Sequence, residues 1–144
     1  ENAVSIHVRR GDYLEPKYWK TTGCVCQLPY YLNAIAEMNK RISQPSYYVF
    51  SDDIAWVKEN LPLPKAFFID WNKGAESWQD MMLMSRCRHH IICNSTFSWW
   101  GAWLNPRENK TVIMPERWFR HCETPDICPD KWIKVPINQP DSIQ

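Results

Sequence analysis

The segment His7-Val8-Arg9-Arg10-Gly11-Asp12-Tyr13 gathers an imidazole, two guanidinium groups and a carboxylate at the end of an apolar run. Alternation along an extended chain puts His7 and Arg9 on one side and Arg10 on the other. Adjacent arginines at a strand exit need an anion or a carboxylate. Guanidinium is a planar fork that fits phosphate oxygens two at a time. Pairing Arg10 with Asp12 or an acidic helix residue would brace the loop, and that explanation is expected for one arginine rather than both. Arg10-Gly11-Asp12 also spells an adhesion tripeptide, which needs an exposed loop tip instead of a strand exit.

Two further segments carry chemistry. Phe50-Ser51-Asp52-Asp53 ends a second apolar run; Asp52 is expected to cap the following helix, leaving Asp53 to accept hydrogen bonds from a ribose or purine. Asn94-Ser95-Thr96-Phe97-Ser98-Trp99-Trp100-Gly101-Ala102-Trp103-Leu104 opens a helix with small hydroxyl residues. Free backbone N–H groups and the helix dipole make such an end suited to a pyrophosphate. A plain N-cap would explain one hydroxyl, not three. Asn94-Ser95-Thr96 is also a glycosylation sequon, poorly placed in a buried turn. Asp80 falls in the first turn of another helix, where it either complements the dipole or holds a ribose or base.

Familiar phosphate cradles are missing. There is no Walker A loop and no G-x-G-x-x-G, and the chain has four glycines in all. No Gly-x-Ser-x-Gly elbow is present. Arginine and a helix terminus are therefore left to hold any pyrophosphate, and no carboxylate cluster suggests magnesium; metal-independent binding is expected.

These segments must be positioned by alternating β and α units. Short apolar runs at Val4–Val8, Tyr47–Ser51, Ala66–Ile69, His90–Cys93 and Thr111–Met114 read as strands covered on both faces. Helices are expected at Pro29–Ile42, Ile54–Asn60, Ser77–Cys87 and Thr96–Leu104, the first with Leu32, Ile35, Ala36, Met38 and Ile42 on its apolar face and the last capped by Asn94 or Ser95. The order implies an α/β fold, a parallel doubly wound sheet with its ligand beyond the carboxyl ends of the strands. The Pro- and Trp-rich stretch after Pro115 reads as loops and short helical turns.

The 144 residues suit one domain, and 17 basic against 16 acidic side chains argue against a nucleic-acid binder. Starting almost within a strand, the chain reads as a fragment. No run is long enough to span a bilayer and no signal-peptide core opens the chain. The nine tryptophans are expected to pack in the core or at an interface, with some on an exposed apolar patch, rather than to line a sugar pocket. Cys24 and Cys26 are too close for an easy mutual bridge, and Cys87, His89, His90 and Cys93 lie along a strand that would splay them away from a single zinc. Reduced structural cysteines and a cytoplasmic setting follow.

The three motifs, in this order, resemble the α-1,2-fucosyltransferases of glycosyltransferase family eleven, and the Trp-Trp-Gly-Ala-Trp form resembles the bacterial members. The resemblance implies a GT-B enzyme of two Rossmann-like domains, with this chain as the C-terminal GDP-fucose-binding domain and the N-terminal acceptor domain absent. It implies inverting, metal-independent transfer of L-fucose to the 2-hydroxyl of a terminal galactose on a glycan acceptor, with no cofactor beyond the donor. By the same resemblance Arg9 contacts the β-phosphate, Arg10 supports it or the loop, and His7 lies near the nucleotide. Asp80 serves guanine or ribose, while Ser95, Thr96, Phe97 and Ser98 line the pyrophosphate and base beside Asn94. Asp12 and Glu15 are the candidate general bases within this chain. Peripheral association with the inner face of the membrane is compatible with this reading. The alternative is a non-catalytic nucleotide-sugar or carbohydrate-binding module, which stacked tryptophans without an anion pocket would favour. Arg9, Arg10 and Ser95 on one spot would favour the enzyme.

Overall fold

A computed structural model describes residues 2–19, 21–23 and 25–138; Cys24 lies outside the described residues. Six strands form one parallel sheet: β1 Ala3–Val8, β2 Ser46–Ser51, β3 Ala66–Ile69, β4 His89–Ile91, β5 Val112–Pro115 and β6 Ile133–Val135, in spatial order β3-β2-β1-β4-β5-β6. The order reverses between β1 and β4, which opens a crevice at their carboxyl ends. Among the described residues four α-helices connect them: α1 Leu28–Arg41, α2 Ile54–Asn60, α3 Trp78–Arg86 and α4 Thr96–Trp103.

Strand alternation sorts the core into two layers. On one face Tyr47 and Val49 of β2, Ile91 of β4 and Ile113 of β5 meet Tyr30, Tyr31, Ala34, Ile35 and Met38 of α1 and Val57 of α2. On the other, Phe50 and Ile69 pack on Met84 of α3, while Ile92, Val112 and Met114 pack on Ala102 of α4. The chain is thus a Rossmann-like α/β domain with helices on both faces. The buried stripe of α1 is rotated from the expected one. Tyr30, Tyr31 and Ala34 face the sheet and Ala36 is exposed, because the tyrosines bury their rings more profitably than an alanine buries a methyl group.

One expectation changes here. The stretch after Pro115 holds β6, which pairs with β5 from Ile113↔Ile133 to Pro115↔Val135. Three residues are too few for a periodic signal. The tryptophans divide between core and surface. Trp118 and Trp132 are buried, but Trp19, Trp71, Trp78, Trp100 and Trp103 are each 46–64% exposed. Among the described residues no helix is long and apolar enough to cross a membrane.

Candidate functional site

Beyond the carboxyl ends of β1, β2 and β3 lies a cavity of about 470 Å³ lined by His7, Arg9, Asp52, Asn72, Asp80 and Phe97, among others. A slightly larger cavity of about 510 Å³ beyond β5 and β6 alternates Glu116 and Glu123 with Arg117 and Lys134. It contains no residue of the three motifs and is set aside on that ground.

The arginine loop is clamped by backbone hydrogen bonds to a side chain. Asp52 accepts from the Arg10 amide at 2.9 Å and the Gly11 amide at 2.8 Å. A Cβ on Gly11 would sit 2.5 Å from the Asp52 carboxylate, so the close approach requires glycine. The cap of α2 is Asp53, which accepts from the Trp56 amide at 3.1 Å. The cap of α2 is therefore Asp53 instead of the expected Asp52, which holds the arginine loop. Two consecutive carboxylates can each serve a nearby amide, and the pairing of β1 with β2, Val8 beside Ser51, decides which serves which. Asp53 also takes the Arg10 Nε–H at 3.3 Å, and the Arg10 guanidinium lies 3.9 Å from the centre of the Trp56 ring. Arg10 thus braces the loop on the α2 side.

Arg9 is also paired. Its Nε and Nη2 reach Asp12 at 3.1–3.2 Å. Both arginines therefore have carboxylate partners within the chain, against the expectation for only one. The pairs differ in kind. The Arg9 and Asp12 side chains are 37% and 40% exposed, and an ion pair so open to water is worth about 0–1 kcal/mol. An incoming phosphate can replace Asp12 with little loss. Glu15 pairs with Lys17 at 2.9 Å, both more than half exposed; neither Glu15 nor Asp12 is among the residues lining the cavity.

Of the start of α4, Phe97 lines the cavity, whereas Ser95, Thr96 and Ser98 are not among its lining residues, so Arg9, Arg10 and Ser95 do not share one spot. His7 is buried, its ring centroid 5.8 Å from that of Phe97, and its Nδ1 lies 3.3 Å from the Cys93 sulfur. Burial first, and Arg9 second, push the His7 pKa down to about 3, so the ring is neutral. Ser98 is buried and donates to the Ser95 carbonyl at 3.3 Å. Ser95 caps α4 by backbone conformation, with no side-chain bond, and Thr96 is exposed. Asn94 turns away from the cavity. Its Nδ2 donates to the carbonyls of Thr22 and Trp118 at 2.7 and 3.0 Å, and its own carbonyl accepts from the Tyr13 hydroxyl. It ties together the loops after β1, β4 and β5.

Asp80 does face the cavity. Burial raises its carboxyl above the ordinary value, opposed by the hydrogen bond from Asn72 at 2.7 Å. Asn72, Asp70, Lys73 and Ser77 also line this end, and sequence reasoning missed them. They lie in an irregular segment between β3 and α3 without motif or periodicity. Position after a strand was the one usable signal. The arrangement brings together His7, Arg9, Phe97 and Asp80, whereas Arg10, Asp53, Asn94 and Glu15 are directed elsewhere. It provides a cation, a neutral imidazole, an aromatic face and a carboxylate around one volume, chemistry suited to a phosphorylated nucleoside.

The profile of Glycosyl transferase family 11 matches residues 1–135. The chain belongs to that family. An α-1,2-colitosyltransferase of Escherichia coli is 38% identical over 138 residues, covering 93% of this chain and 48% of that protein. The O-antigen biosynthesis glycosyltransferase WbnK of Escherichia coli is 37% identical over 135 residues, covering 93% and 45%. Galactoside α-(1,2)-fucosyltransferase 1 of Saimiri boliviensis boliviensis is 35% identical over 105 residues, covering 70% and 28%. This family 11 chain spans about half the length of the bacterial relatives or less. No solved structure matches it.

Proposed function

We propose that this family 11 chain is the donor-binding half of an α-1,2-fucosyltransferase, taking L-fucose from GDP-fucose to the 2-hydroxyl of a galactoside with inversion and without a metal. The observation that carries the reading is the cavity shared by His7, Arg9, Phe97 and Asp80 beyond the carboxyl ends of β1, β2 and β3, beside the switch point between β1 and β4. Asp80 faces the base or ribose, and Arg9 faces the pyrophosphate. As the sugar–phosphate bond breaks, negative charge grows on the β-phosphate while the sugar becomes oxocarbenium-like. Arg9, having exchanged Asp12 for phosphate, meets that charge, and its loss lowers the rate by about a hundred- to a thousandfold, the scale for removing one donor to a developing charge. Turning Arg9 to phosphate frees Asp12 beside the reacting centre, which makes Asp12 a better base candidate than Glu15. A missing N-terminal domain would supply the acceptor contacts.

Stacked tryptophans do occur, with Trp99 and Trp103 ring centroids 5.1 Å apart. Trp103 lies at the far end of α4 from Phe97, so the stack is separate from the polar cavity and does not favour a pure carbohydrate-binding module. Calorimetric titration with GDP, GDP-fucose, GDP-colitose and ADP tests the reading, with Arg9→Ala beside the parent chain. Guanine-selective binding weakened by Arg9→Ala is expected. Equal binding of ADP would refute the guanine assignment, and preference for GDP-colitose would reassign the sugar.

A further inference from the structure

We propose that Cys93 is a positioning residue whose thiol proton fixes His7 as the Nε2–H tautomer, aiming a neutral hydrogen-bond donor into the cavity. The inference deepens the donor-binding reading and rests on it only for the identity of what Nε2 meets. Its geometry is a short relay from helix to strand. The Ser98 hydroxyl in the first turn of α4 donates to the Ser95 carbonyl at 3.3 Å and stands 3.8 Å from the Cys93 sulfur. That sulfur stands 3.3 Å from His7 Nδ1. Because the Ser98 proton is directed to Ser95, the closer and more basic partner for the single thiol proton is the ring nitrogen.

The alternative polarity, Nδ1–H donating to sulfur, pairs a good donor with a weak acceptor. It would also leave the thiol proton to Ser98 at the longer distance. Donation from sulfur to Nδ1 satisfies the better acceptor, and a neutral imidazole then carries its hydrogen on Nε2. Among the described residues Nε2 has no hydrogen-bond partner, nor is it sealed among the buried atoms that lack one. His7 lines the cavity beside Arg9. A neutral donor there complements Arg9 by holding an oxygen of the ligand without placing a second positive charge beside the first. The Phe97 ring, 5.8 Å away, limits rotation of the imidazole, so Cys93 needs to set only which nitrogen is protonated.

Long-range proton–nitrogen NMR on the chain labelled at histidine tests this without nucleotide. The parent and Cys93→Ser, which keeps a donor proton, are expected to show His7 protonated at Nε2 alone. Cys93→Ala is expected to show mixed tautomers and about two- to threefold weaker GDP binding, the factor set by the fraction of His7 left as Nε2–H. If Cys93→Ala does not fold, Cys93→Val carries the same comparison. A parent His7 protonated at Nδ1, or an unchanged tautomer in both proton-deficient variants, would overturn the proposal. Failure of the parent to bind GDP would instead count against the donor reading, with the tautomer result still standing.

Discussion

Lowering the pH from 7 to 5 should destabilise this fold by several kcal/mol through two histidines held neutral in its interior. Burial, the larger cause in each case, brings the pKa of His7 and of His90 down to about 3 from an ordinary 6.5. Arg9 adds to the effect at His7, and Lys110, His89 and Arg107 add to it at His90. Between pH 6.5 and 3 the unfolded chain therefore binds protons that the folded chain does not, and stability falls as pH falls. Integrating the two titrations from pH 7 to 5 gives a loss of about 2 kcal/mol per histidine. Their sum is a large fraction of the roughly 5–15 kcal/mol that holds a domain together. It corresponds to a fall of roughly 10–15 °C in melting temperature at this chain length.

His89 is shifted down as well and acts in the same direction; Asp80 is shifted up and acts in the opposite one. The window from 7 to 5 keeps the ordinary carboxylate range mostly out of the measurement. Urea unfolding at half-unit pH steps is the assay, with His90→Gln as the control. The parent slope should approach two protons near pH 5, and the variant should lose about one of them. A flat parent profile, or a variant with the parent's slope, would show that the interior does not hold these rings neutral.

Two other perturbations test the clamp on the arginine loop and a buried amide network at the start of β4. Asp52→Ala removes the acceptor of two amides in the arginine loop; because Asp52 is exposed, the expected loss is about 1–2 kcal/mol, read by urea unfolding, with faster amide exchange at Arg10 and Gly11. Unchanged exchange there would show that the loop does not depend on the clamp. Asn105 is buried and its Nδ2 donates to the Cys87 carbonyl at 2.9 Å and His90 Nε2 at 2.8 Å, while its Oδ1 accepts from the Arg107 amide at 3.1 Å. Asn105→Ala should destabilise the chain by about 2–4 kcal/mol, since several partners are left unpaired in the interior. A midpoint shift below about 1 kcal/mol would mean that water replaces the amide.

What the sequence determined by itself was the architecture and the residues with reactive character. Apolar strand runs separated by helical segments specify a parallel sheet wherever they occur, because both periodicities are local properties of the chain. The position of Arg9 at a strand exit followed from the same alternation. The short β6 was not legible, since three residues between proline and tryptophan carry no period and are held by pairing with β5. The division of labour among charged neighbours was decided by tertiary structure. Asp52 and Asp53 are adjacent and chemically alike, and only the packing of β1 beside β2 gives one the arginine loop and the other the helix cap. Likewise Asn94 looks like a ligand residue in its motif, yet the loops at Thr22 and Trp118 claim its amide. Cys93 and His7, far apart in the chain, meet because β1 and β4 are neighbours in the sheet. A hydrogen bond needs a distance and an angle, and those belong to the folded arrangement rather than to the order of residues.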